Sequence, residues 1–247
     1  SSAGGFVLIP CPRRFDRDGH YYYPVPLPSE DDFRVGVIRY DSTMAVLDTF
    51  PMLDDPVERE RFEHRRGESV AIVGVPFTGG FRQQLSPDGT FWGFLTGPYR
   101  MFELSPDGDT IRTVTRAFDP LPVTDADMDD ARDELAWFVE MGGEVDWSLI
   151  PDHKPAIEYA FFDDAGSLWV WPVMPHAQDG TALDVFDPVG RFLGRITAPV
   201  PIARRPLPVV RGDVMYAVTE SELDVPFVVR LRIEKPPEID DRRAAGD

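Results

Sequence analysis

The 247-residue chain contains no asparagine and only two lysines, Lys154 and Lys235, all its other cationic side chains being arginine. Genomic base composition accounts for such a skew, but it has a chemical consequence: there is no acceptor for an N-linked glycan and no asparagine for a metal site. Cys11 is the single cysteine, so an intramolecular disulfide is excluded. Its setting, Leu8-Ile9-Pro10-Cys11, has proline where a lipid-attachment signal needs a small residue, and it reads as a half-buried strand thiol. No apolar run approaches the roughly 18 residues of a membrane span, so the sequence reads as water-soluble. Basic clusters of the kind that bind phosphates are also missing from a chain of net charge −18, which argues against nucleic acid as a partner. The chain begins at Ser1 without methionine, and we expect a leader or a longer N-terminal region to have been removed.

What the sequence does contain is repetition. Four times a turn ending in glycine leads into an aromatic-rich extended run: Gly19-His20-Tyr21-Tyr22-Tyr23, Gly89-Thr90-Phe91-Trp92-Gly93, Gly166-Ser167-Leu168-Trp169-Val170 and Gly212-Asp213-Val214-Met215-Tyr216. Each is followed by a second apolar run: Val35 to Tyr40, Tyr99 to Leu104, Leu183 to Phe186 and Phe227 to Ile233. A repeated strand-turn-strand unit cannot bury its faces alone and must stack on copies of itself, so the pattern points to a propeller or solenoid. The repeats span about 6–50, 69–118, 156–198 and 205–235, and the 43% apolar content suits one domain over residues 1–247. The first repeat opens with a strand at Phe6 to Ile9. In the second, Ser86-Pro87-Asp88-Gly89 and Ser105-Pro106-Asp107-Gly108 bracket an antiparallel meander. Tyr22, Trp92, Trp169 and Met215 occupy one register position and are expected in the core, with Tyr23, Gly93, Val170 and Tyr216 on the opposite face. The Tyr21 to Tyr23 run and the Trp169, Trp171 pair also offer aromatics for ligand or partner contact at a channel mouth.

Two stretches interrupt the repeats. Asp54 to Glu68 mixes arginines with glutamates and aspartates, lacks strand periodicity and reads as a solvated excursion. From Asp119 to Pro155 the chain carries a helix over about 124–141. Thr124 is its N-cap, early aspartates suit the helix dipole, Met128, Ala131, Leu135 and Phe138 form an apolar stripe, and Gly142-Gly143 ends it. The run from Asp125 fails as an EF-hand loop, because Asp130 stands where glycine is required and Ala136 where a bidentate glutamate belongs. The histidines His20, His64, His153 and His176 show no metal-ligand spacing, and no nucleophile elbow, phosphate loop or dinucleotide fingerprint occurs. Arg211-Gly212-Asp213 falls on a repeat turn and is read as one.

The third repeat is the most specific. Its Phe161-Phe162-Asp163-Asp164-Ala165-Gly166-Ser167-Leu168-Trp169-Val170, followed by Leu183-Asp184-Val185-Phe186-Asp187-Pro188-Val189-Gly190, resembles the bacterial six-bladed β-propellers related to the NHL and TolB-like proteins. The preceding Ile150 to Pro155 resembles the connector before such a blade. The resemblance covers about Arg13 to Lys235 and is weaker in the first and last repeats. It implies an all-β fold, a propeller of four-stranded antiparallel blades with one inserted α-helix, and a periplasmic or secreted location. Six blades need more than 247 residues, so four visible repeats imply missing N-terminal sequence or divergent further blades, or else an open or four-bladed variant; an open ring leaves an exposed edge that a partner protein covers.

Our functional expectation is a non-enzymatic scaffold or accessory subunit, binding protein partners such as subunits of a membrane-bound respiratory or photosynthetic assembly. Candidate partner-binding residues are Asp125, Asp127, Asp129, Asp130 and Asp133 on the helix, and Arg59, Arg61, Arg65 and Arg66 in the charged stretch. No cofactor is assigned. The alternative is a calcium-dependent hydrolase of the lactonase-like propeller type, a fold that hosts both classes.

Overall fold

The computed structural model describes residues 15–27, 34–52, 56–105, 107–175 and 180–234; the strand expected at Phe6 to Ile9, Cys11 and His176 lie outside them. The described chain is mostly β, and every strand pair is antiparallel. Sheet 1 comprises β1 (Tyr21–Leu27), β2 (Arg34–Tyr40) and β3 (Val46–Pro51). A separate hairpin follows, β4 (Arg61–Arg66) with β5 (Ser69–Gly74). Sheet 2 is β6 (Phe81–Leu85), β7 (Phe91–Leu95), β8 (Arg100–Leu104) and β9 (Thr110–Thr115). After the helix α1 (Asp125–Glu140), sheet 3 is β10 (Ile157–Phe162), β11 (Leu168–Pro172), β12 (Thr181–Phe186) and β13 (Phe192–Ala198). Sheet 4 is β14 (Val209–Arg211), β15 (Val214–Glu220) and β16 (Pro226–Arg232). Within every sheet the strand order is the sequence order, so each is a simple meander.

The repeated turn explains the repeated sheet. The amides of Gly19, Gly89 and Gly166 donate back to the carbonyls of Asp16, Ser86 and Asp163. Each of these glycines has φ between 83° and 90°, which a side chain rarely tolerates. The first residue of the turn adds its own acceptor: Asp16 Oδ1 takes the His20 amide at 2.9 Å and Asp163 Oδ1 the Ser167 amide at 2.7 Å.

Tyr22, Trp92, Trp169 and Met215 are all buried, as their shared register predicts. Their neighbours reveal how the sheets stack. Val170 is as buried as Trp169, because sheet 3 is covered on both faces, whereas Tyr23 and Tyr216 are 47% and 43% exposed. Phe161, Trp169 and Leu183 pack on Val210, Met215 and Ala217 of sheet 4. On its other side Ile157, Leu168, Val170 and Phe186 meet Trp92, Phe94 and Met101 of sheet 2. Sheet 2 in turn meets Tyr22 and Val37 of sheet 1 through Leu85. The spatial order is therefore 1-2-3-4, with both faces of the inner sheets apolar. No closed ring of sheets is found among the described residues.

Two expectations need correction. The second repeat does not begin at Ser69, because β5 pairs with β4 and not with sheet 2. The Asp54 to Glu68 stretch is not wholly an excursion, since its second half is β4. Strand alternation is present there, but on the inward side it is carried by Phe62 and His64 among charged neighbours, which hides the period. Gly67, at φ 61°, supplies the tight turn between Arg66 and Ser69. Sheets 2 and 3 have the expected four strands, while sheets 1 and 4 show three among the described residues.

A carboxylate ties the inner sheets together. Asp184 of β12 is fully buried, and its Oδ2 accepts from Tyr99 Oη at 2.9 Å and from Arg116 Nη1 at 2.6 Å, both from the sheet 2 side. Arg195 of β13 adds Nε to Oδ1 at 2.7 Å and Nη2 to Oδ2 at 3.0 Å. Burial and then the Asp184 charge push the Tyr99 phenol far above its ordinary range, so it stays a donor. Arg116 also lies over the Phe192 ring, 4.5 Å from its centroid. Removing one partner of a buried, paired charge is costly. Asp184→Ala is therefore expected to destabilise the fold by about 3–5 kcal/mol in urea unfolding, and a loss under about 1 kcal/mol, the range of an exposed pair, would contradict this role.

Candidate functional site

Helix α1 starts where the sequence places it. Thr124 Oγ1 accepts the Asp127 amide at 3.3 Å, while Asp127 Oδ2 accepts from the Thr124 amide at 2.8 Å and its hydroxyl at 2.7 Å, closing a capping box. The other carboxylate oxygen of Asp127 receives Lys154 Nζ at 2.5 Å, and both side chains are buried. Burial alone would raise the Asp127 pKa, but the Lys154 and Thr124 donors outweigh it and hold the carboxyl well below the usual range. The stripe Ala131, Leu135 and Phe138 is buried; Leu135 and Phe138 cluster with Phe62 of β4 and with Val75 after β5, and the edge of His64 meets Phe138. The two interruptions of the repeat pattern thus fold onto each other as one helix-on-hairpin layer. Helix α1 thus docks its stripe on this hairpin and not on one of the four stacked sheets.

Of the candidate partner-binding residues, Asp125, Asp129, Asp130 and Asp133 are exposed on α1. Asp127 is an exception, at 2% exposure, and serves the cap and Lys154 instead of a partner. Arg59, Arg61, Arg65 and Arg66 are exposed, with Arg61 and Arg65 on the side of β4 opposite Phe62. The carboxylates and arginines are joined through an apolar contact, Phe62 with Phe138, beneath them.

Between α1 and sheets 3 and 4 lies a cleft of about 1380 Å³. Its lining includes Glu134 of α1, Glu220 of β15, Trp171 of β11 and Met174. Glu158 of β10 pairs with Arg204 at 2.5 Å; burial raises its pKa, an effect Arg204 offsets in part. Arg82 lies over the Tyr159 ring, 5.6 Å from its centroid. Lys154 lines both this cleft and a smaller hollow of about 680 Å³ beside the hairpin. Sequence reasoning passed over Lys154, Glu158 and Glu220. The available signal was the use of lysine at 154, the one lysine among the described residues, in a chain that otherwise uses arginine.

A calcium-dependent hydrolase needs a cluster of oxygen ligands. Among the described residues no three His, Cys, Asp or Glu side chains are grouped to hold a metal, and both Asp184 oxygens are taken by protein donors. His20 Nδ1 lies 2.8 Å from Asp16 Oδ2, His64 packs on Phe138, and His153 bridges Pro122.

A carboxyl with a depressed folded-state pKa adds stability above its unfolded value, and that contribution is lost as pH falls through the folded value. Asp127 therefore contributes fully at neutral pH and progressively less below about pH 4. Thermal melts from pH 7 to pH 3 should show a shallower acid loss in Asp127→Asn/Lys154→Met than in the native chain; parallel curves would contradict the pairing.

No protein-family model matches this sequence, and neither does any curated protein. Among solved structures, the chain is similar to a Bacteroides caccae protein of unknown function, at 10% identity over 85% of this chain and 72% of that one. The TM-score is 0.31, too low to carry an argument.

Proposed function

We propose that the chain is a non-enzymatic, extracytoplasmic binding scaffold, built as an open β-propeller whose stacked sheets are its blades, and acting as an accessory subunit of a larger, membrane-bound assembly. The observation that carries this reading is the helix-on-hairpin layer. Phe62 and Phe138 lie in interruptions well apart in sequence, yet they share one buried cluster. Stacking of the four sheets does not require such a layer, so its charged outer side is the feature left to be explained by a partner. Sheets with both faces buried form a rigid support, and loops and insertions on rigid supports are where binding concentrates.

The chemistry of that outer side suits a protein partner with a basic patch. Asp125, Asp129 and Asp133 are exposed, and the whole chain carries −18, so long-range attraction would steer a cationic partner towards the layer. The resemblance to extracytoplasmic propellers supports the location, and the lack of a closed ring among the described residues supports a subunit role, since uncovered sheet surface favours association.

The test is Asp125→Lys/Asp129→Lys/Asp133→Lys in a tagged chain returned to the cells that make it. Recovery of the stoichiometric partner, quantified by mass spectrometry, should fall about tenfold or more, beyond what the modest melting-temperature loss from placing lysine in the first turn of α1 and breaking the Asp129–Arg132 pair accounts for. Equal recovery would contradict the assignment of this face.

A further inference from the structure

The two ends of the sheet stack leave apolar side chains exposed. In sheet 1, Tyr22 and Val37 face sheet 2, so strand alternation turns Tyr21, Tyr23, Ile38 and Tyr40 to the other side. There Phe15, Tyr23 and Tyr40 gather around Tyr21, with ring centroids 5.1 Å, 6.2 Å and 6.2 Å from it. Phe15 and Tyr23 are 57% and 47% exposed. In sheet 4, Val210, Met215 and Ala217 face sheet 3, which turns Val209, Tyr216, Val218, Val228 and Arg230 outward. Val209, Tyr216 and Val228 are exposed on that face, Val228 at 69%.

These faces continue a series. Inside the chain, sheets 1, 2 and 3 each lay an apolar face on the next sheet. The outer face of sheet 4 has no next sheet to meet, and that of sheet 1 has none before it. The chemistry of the two ends is also matched. Arg230 stands opposite Tyr216 in the ladder, is exposed, and has no ion-pair partner among the described residues. The sheet 1 end supplies aromatic rings. Arginine over a ring already links sheets 2 and 3, through Arg116 over Phe192 and Arg82 over Tyr159. Contiguous apolar faces left open to solvent ordinarily mark an interface.

We infer that the outer face of sheet 4 docks on the outer face of sheet 1 of a second copy of this chain, and that two copies close reciprocally into one ring. The inference rests on the open-propeller reading and names what completes it. A head-to-tail contact either closes or runs on into a filament. Two copies bring eight stacked sheets, within the about four to eight blades that close a propeller, and a third copy would exceed that range. A second copy also presents both faces at once, so one pairing covers both ends of both chains, whereas an unrelated protein would have to match two different surfaces.

The experiment is light scattering on the purified chain after size exclusion, over a series of concentrations. The native chain should elute at twice the chain mass, with no larger species. Val228→Glu at the sheet 4 end and Tyr23→Glu at the sheet 1 end should each weaken self-association about tenfold or more, because each places a carboxylate in a closed apolar contact. Both positions are exposed, and unchanged circular dichroism confirms that each variant is folded. At the highest concentration an equimolar mixture of the two variants should regain association that neither shows alone, since the mixed pair keeps one intact contact. A monomeric native chain, a ladder of larger species, a variant that dimerises like the native chain, or a mixture that stays monomeric would overturn the inference. The first of these is also the result if another part of the chain or a different protein occupies either face. A monomer whose partner recovery still depends on the α1 aspartates leaves the scaffold reading standing while this inference falls, and a dimer that recovers no partner does the reverse.

Discussion

Asp184 is the constraint on which the stack depends. A carboxylate without solvent access must be met by donors, and here the donors come from two sheets: Tyr99 and Arg116 from sheet 2, Arg195 from sheet 3 itself. Apolar clusters supply most of the driving force for stacking, but they are tolerant of sliding. Charge-assisted hydrogen bonds are directional, and four of them on one carboxylate fix how sheet 2 sits on sheet 3. Everything downstream uses that registry, because α1 is spliced between these two sheets and Lys154 returns the chain to β10.

The helix-on-hairpin layer is attached by the same logic on a smaller scale. Asp127 satisfies its own helix start and neutralises Lys154, so one buried carboxylate joins the beginning of α1 to the strand that follows its loop. Phe138 and Leu135 then hold the hairpin. The result is a charged element carried on a firm apolar base, with a cleft on its inner side. A binding role fits this division, in which the sheets hold position and the insertions carry the exposed chemistry.

Local features were legible in the sequence and distant ones were not. The glycine turns, the Thr124 cap, the helix stripe and the buried set of Tyr22, Trp92, Trp169 and Met215 each depend on residues within a few positions of one another. The Asp184 network was invisible because its partners in sheet 2 lie 85 and 68 residues away, and the aspartate itself looked like an ordinary member of a Leu-Asp-Val-Phe strand. The β4 strand was missed for a different reason: one inward phenylalanine among charges is too weak an alternation to stand out, and its burial is supplied by a helix more than sixty residues later. Asp127 was read as a surface charge because its partner Lys154 lies 27 residues on.

The most direct test of the scaffold account is the native mass of the protein purified gently from the cells that make it. A large complex with the chain present in fixed stoichiometry is the predicted result. A lone monomer, with nothing co-purifying, would contradict it.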